Sequence, residues 1–175
     1  FEFCAQLTDV SLPSTLTQLG FAPFTSCYAL NEIVVSQDNE RFLVQDGLLI
    51  DKDGMLYLAL PNSVGISCSI PDGVTRIGDY AFELCSTMES VTIPDSVLWI
   101  GDDAFCETSL QTVILPEGVE FVGEQTFAFC NLLAEVQFPE SIRYIGRNIF
   151  LGNENVAVSA PEGSYAAEFA FEESY

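Results

Sequence analysis

Apolar and polar positions along the chain recur with a fixed period. A triplet of apolar, variable and apolar residues is followed at once by proline, then by a second apolar pair, a glycine and a phenylalanine. Both the glycines and the phenylalanines step by 23, 22 and 23 residues. A period of this length predicts a solenoid, in which similar coils stack to bury one continuous core. The recurring residues are Gly78, Gly101, Gly123 and Gly146, with Phe82, Phe105, Phe127 and Phe150.

Each unit of the pattern predicts one coil with a short strand, a turn and an inward segment. Val91–Ile93 alternates as a half-buried strand does, and Pro94 ends it because proline donates no ladder hydrogen bond. The second apolar pair, Val97 and Ile100, is expected to point inward again. Gly101 is expected to allow a backbone geometry that other residues resist. Ala104–Phe105 is expected to begin a short helical or 3₁₀ segment that fills the interior.

Two parts of the chain depart from this pattern. Gly20 and Gly78 are 58 residues apart, too far for two ordinary units, and the pairs Asp46-Gly47 and Asp53-Gly54 between them favour hairpin turns. We therefore expect a β-hairpin insert at about residues 40–62 that protrudes from, or caps, one coil. Near the other end, Pro161 is not followed by the apolar pair and glycine, which predicts a degenerate cap at about 155–175. Residues 1–175 are thus predicted to form a single domain.

The repeat motif resembles a known family. Val74–Cys85 reads Val-x-x-Ile-Gly-x-x-Ala-Phe-x-x-Cys and is followed by a Val-x-Ile-Pro strand, as in the BspA-type leucine-rich repeats. Phe42–Ile50 resembles the hairpin insert of that family, and Gly163–Glu168 resembles its closing segment. The sequence departs from the pattern at Thr126 and Ile149, which stand where alanine is usual.

The resemblance, which covers essentially the whole chain, implies a fold and a role. The fold is an α/β repeat solenoid, a right-handed coil with a parallel β-sheet on one face, short helical or 3₁₀ segments opposite and one β-hairpin insert. The role is that of a secreted or surface-anchored bacterial protein acting in adhesion or protein–protein contact, often with host matrix proteins. The family has no catalytic residues to carry over.

Composition narrows the function further. The chain has 26 acidic and 5 basic residues, a formal net charge of −21 and no histidine. Such a surface repels nucleic acid and anionic lipid, and no apolar run is long enough to span a bilayer. Without histidine, the commonest general base and the commonest zinc ligand are missing. We therefore expect neither an enzyme nor a cofactor or metal site. Because the chain opens part-way through a unit, we expect a mature or trimmed fragment.

The cysteines and one acidic turn leave alternatives. Cys4, Cys27, Cys85 and Cys130 occupy one repeat position, which is typical of a buried, reduced column, although disulfides are the other interpretation. Asp51–Gly54 is similar to the start of a calcium loop. A hairpin turn explains it better, because the third acidic position and the closing glutamate are absent.

Two outward surfaces are candidates for binding. Arg76, Trp99, Phe121 and Tyr144 occupy equivalent positions, so the three aromatic residues would form an exposed column with a spacing of about 5 Å. Aromatic side chains of this kind dominate binding hot spots and stack on sugar rings. The alternative is that they pack only on each other or on a neighbouring copy.

The second candidate is the outward side of the strands, which carries Thr92, Ile114 and Gln137. From the two surfaces we expect a recognition or adhesion module that binds a protein or a glycan, outside the cell or at its surface. The alternative is a spacer or scaffold that presents another domain and has no ligand of its own.

Overall fold

The computed structural model describes residues 1–173 and is a solenoid of about seven coils. From β6 to β14 two kinds of strand alternate, one from the apolar triplet and one from the second apolar pair. The elements are β1 Asp9–Leu12, β2 Glu32–Val35, β3 Phe42–Gln45, β4 Leu48–Asp51, β5 Met55–Ala59, β6 Ser67–Ser69, β7 Arg76–Ile77, β8 Ser90–Thr92, β9 Trp99–Ile100, β10 Thr112–Ile114, β11 Phe121–Val122, β12 Glu135–Gln137, β13 Tyr144–Ile145, β14 Ala157–Ser159 and α1 Tyr165–Glu173.

The triplet strands pair in parallel, which confirms the parallel pairing that the family resemblance implied. They form the groups β1-β2, β6-β8 and β10-β12-β14. Register follows the sequence period, since Val136 lies between Val113 of one neighbouring strand and Val158 of the other. Because the side chains of a strand alternate between two faces, this register sends one apolar residue of each strand inward at the same height.

The second apolar pair of each unit also forms a strand. β7, β9, β11 and β13 join the insert in one seven-stranded sheet of order β13-β11-β9-β7-β5-β4-β3. Ile77, Ile100 and Val122 are aligned in this sheet and fully buried. Their outward neighbours therefore lie in a straight row across the sheet.

The insert contains three antiparallel strands, β3, β4 and β5, one more than a hairpin has. It neither protrudes nor stands apart, because β5 also pairs in parallel with β7 and so continues the sheet of the coils. β4 is buried on both faces, with Leu48 and Ile50 in the large core and Leu49 in a smaller N-terminal core. The insert thus separates two cores and joins both of them.

A column of phenylalanines fills the large core. The rings of Phe82, Phe105, Phe127 and Phe150 are buried and lie nearly parallel to their neighbours. Successive centroids are 4.9, 5.7 and 6.1 Å apart, the range of stacked aromatic pairs. We call these four residues the phenylalanine stack.

The predicted helical or 3₁₀ segments around these phenylalanines are not helical in the described residues. They are successive turns in which two residues four positions apart have a positive φ, as at Tyr80 (58°) and Leu84 (62°). This geometry turns alternate N–H groups away from the segment, so that Phe82 N donates to Ala104 O of the next coil at 2.7 Å. A helix would direct those donors back into its own chain. The described helix is α1, near the C-terminal end.

The repeated glycines have a different purpose from the one expected of them. Gly101 and Gly123 do not have a positive φ. A Cβ atom at Gly101 would lie 2.6 Å from the backbone nitrogen of Asp79, and one at Gly123 would lie 2.6 Å from that of Asp102. Glycine is needed at these positions because the backbones of adjacent coils approach each other too closely for a side chain.

Candidate binding surfaces

Trp99, Phe121 and Tyr144 form a column on the outward side of the seven-stranded sheet, as their repeat position predicted. They are register partners on β9, β11 and β13. The Trp99 and Phe121 rings have centroids 3.4 Å apart with 8° between their planes, and the Phe121 and Tyr144 rings 4.6 Å apart with 8°. Trp99 is 36% exposed and Tyr144 41%. The aromatic column, as we call these three residues, therefore packs against itself and also meets solvent along its ring edges.

Arg76 extends the aromatic column at one end. Its guanidinium carbon lies 5.2 Å from the centroid of the Trp99 ring, within the range of a cation–π contact. No salt bridge involves Arg76 among the described residues, although the chain carries 26 acidic residues. The side chain is exposed, so its guanidinium donors are available to a partner.

The structure adds two apolar residues that the repeat position did not indicate. Met55 of the insert is the register partner of Arg76 and so continues the row across the sheet. Leu98, immediately before Trp99, is 50% exposed. The first could not be found from the sequence because it depends on the pairing of β5 with β7, which breaks the repeat. The second was visible only as a variable position.

The Asp51–Gly54 segment is a turn that binds an arginine. Asp51 is buried, and its Oδ1 accepts hydrogen bonds from the backbone nitrogens of Asp53 (2.9 Å) and Met55 (3.0 Å). Its Oδ2 accepts from Arg41 Nη2 at 3.2 Å and from the Tyr57 hydroxyl at 3.1 Å. Arg41 Nη1 also lies 2.6 Å from Asp53 Oδ2. Burial, followed by the nearby Asp51 carboxylate, raises the pKa of Tyr57 to about 12.

The strand surface, defined by Thr92, Ile114 and Gln137, is more polar and less continuous. Ile114 and Gln137 are register partners, whereas Thr92 lies in the separate β6-β8 pair. Ile114 is 62% exposed and has no aromatic neighbour in this row. Gln137 Nε2 donates to Glu135 Oε1 of its own strand at 3.1 Å. The strand surface therefore offers one isolated apolar side chain, whereas the aromatic column offers three in contact.

All six cysteines have free thiols, and five of them are buried. The repeat-position thiols donate hydrogen bonds toward the preceding coil, Cys27 to Phe1 O at 3.0 Å and Cys130 to Phe105 O at 3.1 Å. Burial raises the pKa of Cys85 to about 12. No group of three or more Cys, Asp or Glu side chains in residues 1–173 is arranged to hold a metal ion.

Thiol reactivity is expected to separate Cys4 from the other five. Iodoacetamide attacks thiolates, and Cys4 is exposed while Cys85 is buried with a raised pKa. At pH 8 we expect Cys4 to be alkylated at least ~100-fold faster than Cys85, because Cys85 must wait for opening of the coil. Peptide mass mapping over time measures both rates. Equal alkylation rates of Cys4 and Cys85 in the folded protein would show that the Cys85 thiol is not buried as described.

A comparison with protein-family models decides the family. The model for the BspA type leucine rich repeat region matches in six copies over residues 1–43 and 62–174. The chain belongs to the BspA-type leucine-rich repeat family. The interval between the matches contains most of the antiparallel insert, which explains why the BspA-type repeat is interrupted there. No curated protein sequence matches the chain.

Three solved bacterial structures are similar to the chain in fold. A leucine-rich repeat protein from Eubacterium ventriosum is 21% identical with a TM-score of 0.68, over 74% of this chain and 35% of that one. The pneumococcal vaccine antigen PcpA is 18% identical with a TM-score of 0.66, over 90% of this chain and 46% of that one. A leucine-rich cell surface protein from Faecalibacterium prausnitzii is 26% identical with a TM-score of 0.65, over 94% of this chain and 50% of that one.

The chain thus spans half or less of the length of these three structures. What these structures share with it is the repeat fold. One of the three relatives is described as a cell surface protein. In residues 1–173 no helix combines the length and the apolarity that crossing a bilayer requires.

Proposed function

We propose that this chain is a non-catalytic recognition module, outside the cell or at its surface, that binds a partner protein through the aromatic column. The observation that carries the proposal is the contiguity of Trp99, Phe121 and Tyr144, stacked on three neighbouring strands with their edges in solvent. Tryptophan, tyrosine and arginine are the residue types that dominate binding hot spots, and Arg76 stands beside them. A surface location is supported by the description of the Faecalibacterium relative.

The stacking favours a protein partner over a glycan. Sugar rings bind to the faces of aromatic side chains. Both faces of the Phe121 ring are covered, one by Trp99 and the other by Tyr144, and one face of Trp99 is covered by Arg76. The ring edges that remain are apolar. Guanidinium donors stand at the Arg76 end of the column, and at the other end Tyr144 adds a hydroxyl and has only one face covered by a stacked ring. Apolar side chains and backbone carbonyls of a protein complement such edges.

The charge of the chain defines the partner further. With a net charge of −21, long-range attraction favours proteins with a basic patch, and salt screens this attraction. Association is therefore expected to slow as the NaCl concentration rises from 50 to 500 mM, values at which the Debye length falls from about 14 Å to about 4 Å. Extracellular matrix proteins with basic segments are the first candidates to test.

The experiment is a binding screen of the chain against immobilised matrix proteins and a glycan array, followed by two sets of substitutions. Trp99→Ser, Phe121→Ser and Tyr144→Ser together are expected to weaken binding to the protein identified by at least ~100-fold, since hot-spot residues contribute about 2 kcal/mol or more each. The matched control carries Thr92→Ser, Ile114→Ser and Gln137→Ser on the strand surface.

Each outcome of this experiment has a definite meaning. Circular dichroism and thermal unfolding establish that both variants fold. Loss of binding in the first variant alone supports the proposal. Loss in the control alone moves the binding site to the strand surface, binding to glycans alone contradicts the choice of partner, and no binding to any ligand supports a spacer.

A further inference from the structure

The turn segments of the regular coils are joined by a constant set of backbone hydrogen bonds. In the coil of Phe105, the N–H groups of Asp103, Phe105 and Glu107 donate to carbonyls of the next coil at 2.9, 2.9 and 3.0 Å. The acceptors are the carbonyls of Glu124, Thr126 and Ala128. The coils before and after repeat this set of three bonds at equivalent positions. Each turn segment thus presents three donors to one neighbour and three acceptors to the other.

The insert interrupts this series on its N-terminal side. Ala22, Phe24 and Ser26 correspond to Asp103, Phe105 and Glu107, and Ala22 and Ser26 share their positive φ, at 41° and 59°. The insert that follows consists of strands and supplies no turn segment. The N–H groups of these three residues donate to no protein acceptor among the described residues.

The turn segment on the C-terminal side of the insert lacks donors in the same way. Asp79, Ala81 and Glu83 carry the carbonyls that correspond to the three acceptors of the regular coils. Only the middle one is used, by Ala59 N at 2.6 Å, while the carbonyls of Asp79 and Glu83 receive no donor among the described residues. Unpaired backbone donors face unpaired acceptors across the position of one absent turn segment, an arrangement that invites another chain.

The space between the two walls is an open pocket of about 200 Å³, lined by both turn segments. The pocket is also lined by residues of the insert and of the segment that follows β5, namely Tyr57, Leu58 and Pro61. Two further tyrosines, Tyr28 and Tyr80, border it. The acidic residues Asp79 and Glu83 are among the lining residues, which include no lysine or arginine. Burial, and then the neighbouring carboxylates of Asp103 and Glu107, raise the pKa of Glu83.

We propose that this open slot, between residues 22–27 and 79–84, binds a short extended segment of a partner protein that carries a basic side chain. The backbone carbonyls of the segment accept hydrogen bonds from the N–H groups of Ala22, Phe24 and Ser26. Its own N–H groups donate to Asp79 O and Glu83 O. Its lysine or arginine side chain pairs with the Glu83 carboxylate. The slot is distinct from the aromatic column, and its test does not depend on that proposal.

Charge decides between the two occupants that could supply such a segment. A second copy of this chain also has a net charge of −21 and would be repelled by a slot that is lined by Asp79 and Glu83. A partner with a basic segment removes the uncompensated charge instead. The basic partner is therefore the occupant that the structure favours.

The first measurement is amide hydrogen exchange in the free protein. The amides of Ala22, Phe24 and Ser26 are expected to exchange at least ~100-fold faster than those of Asp103, Phe105 and Glu107, because only the latter are hydrogen-bonded. Equal protection of the two sets would show that the slot is closed and would overturn the proposal. If sedimentation showed a dimer and dilution to monomer exposed the three amides, a second copy would be the occupant, which also overturns it.

The second measurement uses a defined probe, an acetylated and amidated hexapeptide of alternating alanine and arginine. We expect it to shift the NMR signals of the Ala22, Phe24 and Ser26 amides and to slow their exchange, while the glutamate version of the peptide does neither. Glu83→Gln is expected to weaken the binding of the arginine peptide about tenfold, the effect of losing one charge-assisted hydrogen bond. Glu124→Gln, at the position equivalent to Asp79 but beside a carbonyl that is already bonded, is the matched control.

Both parts of the proposal are exposed to these results. No shift at Ala22, Phe24 and Ser26 at millimolar peptide overturns it, as does equal weakening by the two substitutions, which would indicate attraction to the acidic surface as a whole. An arginine peptide methylated at alternate backbone nitrogens is expected to lose the shift. If it binds equally well, the backbone pairing is wrong.

Discussion

Replacing Gly123 by alanine is expected to lower the free energy of unfolding by about 3 kcal/mol, the upper range for forcing extra atoms into a packed site. The added methyl group would lie 2.6 Å from the backbone nitrogen of Asp102 in the preceding coil. That nitrogen belongs to the backbone and cannot rotate away. It can move only if the two coils separate, which would weaken the bond between Gly123 N and Ile100 O.

Gly20 provides a matched control for this substitution. It holds the same position in its own unit, yet a Cβ atom there would have no neighbour within 4 Å. Gly20→Ala should change the free energy of unfolding by no more than about 0.5 kcal/mol, as an unstrained surface substitution does. Urea unfolding of both variants measures the difference. Equal effects would show that the close approach of the coils is not what requires glycine.

Phe105→Ala is expected to cost about 4 kcal/mol, within the range for removing a buried phenylalanine. Phe105 is fully buried and stacks on Phe82 on one side and on Phe127 on the other, so its removal leaves a cavity in the middle of the phenylalanine stack. The flanking rings cannot close it, because each is fixed in its own coil by backbone bonds to its neighbours.

Phe129→Ala is the comparison for this second prediction. Phe129 lies in a turn segment like that of Phe105 but is 44% exposed, so the loss of its ring should cost about 1 kcal/mol. Chemical denaturation with the slope of the transition held constant gives both values. A cost below about 2 kcal/mol for Phe105→Ala would mean that the stack contributes little to the stability of the solenoid.

The sequence was most informative where a feature depends on residue type at a repeated position. The inward valines, the phenylalanine stack and the aromatic column are each visible as a column of one chemical kind, and the structure places each where the period predicted it. The same argument located Arg76 at the end of the column, although not its contact with Trp99.

Features that depend on backbone conformation or on pairing between distant segments could not be predicted in this way. Tyr80, Asp103 and Gln125 share a positive φ but no side-chain chemistry, so the turns were interpreted as short helices. Nothing local in Met55–Ala59 shows that one edge pairs with β4 and the other with β7. The open slot exists only because that pairing leaves one turn segment out.

Quenching of Trp99 fluorescence by acrylamide tests whether the aromatic column is an exposed face that a partner protein covers. Trp99 is the only tryptophan of the chain, so its emission reports on the column alone. We predict red-shifted emission that acrylamide quenches readily in the free protein. When the protein identified in the binding screen is added to saturation, we predict a blue shift and weaker quenching. Emission that is already protected in the free monomer, or quenching that is unchanged at saturation, would contradict this proposal.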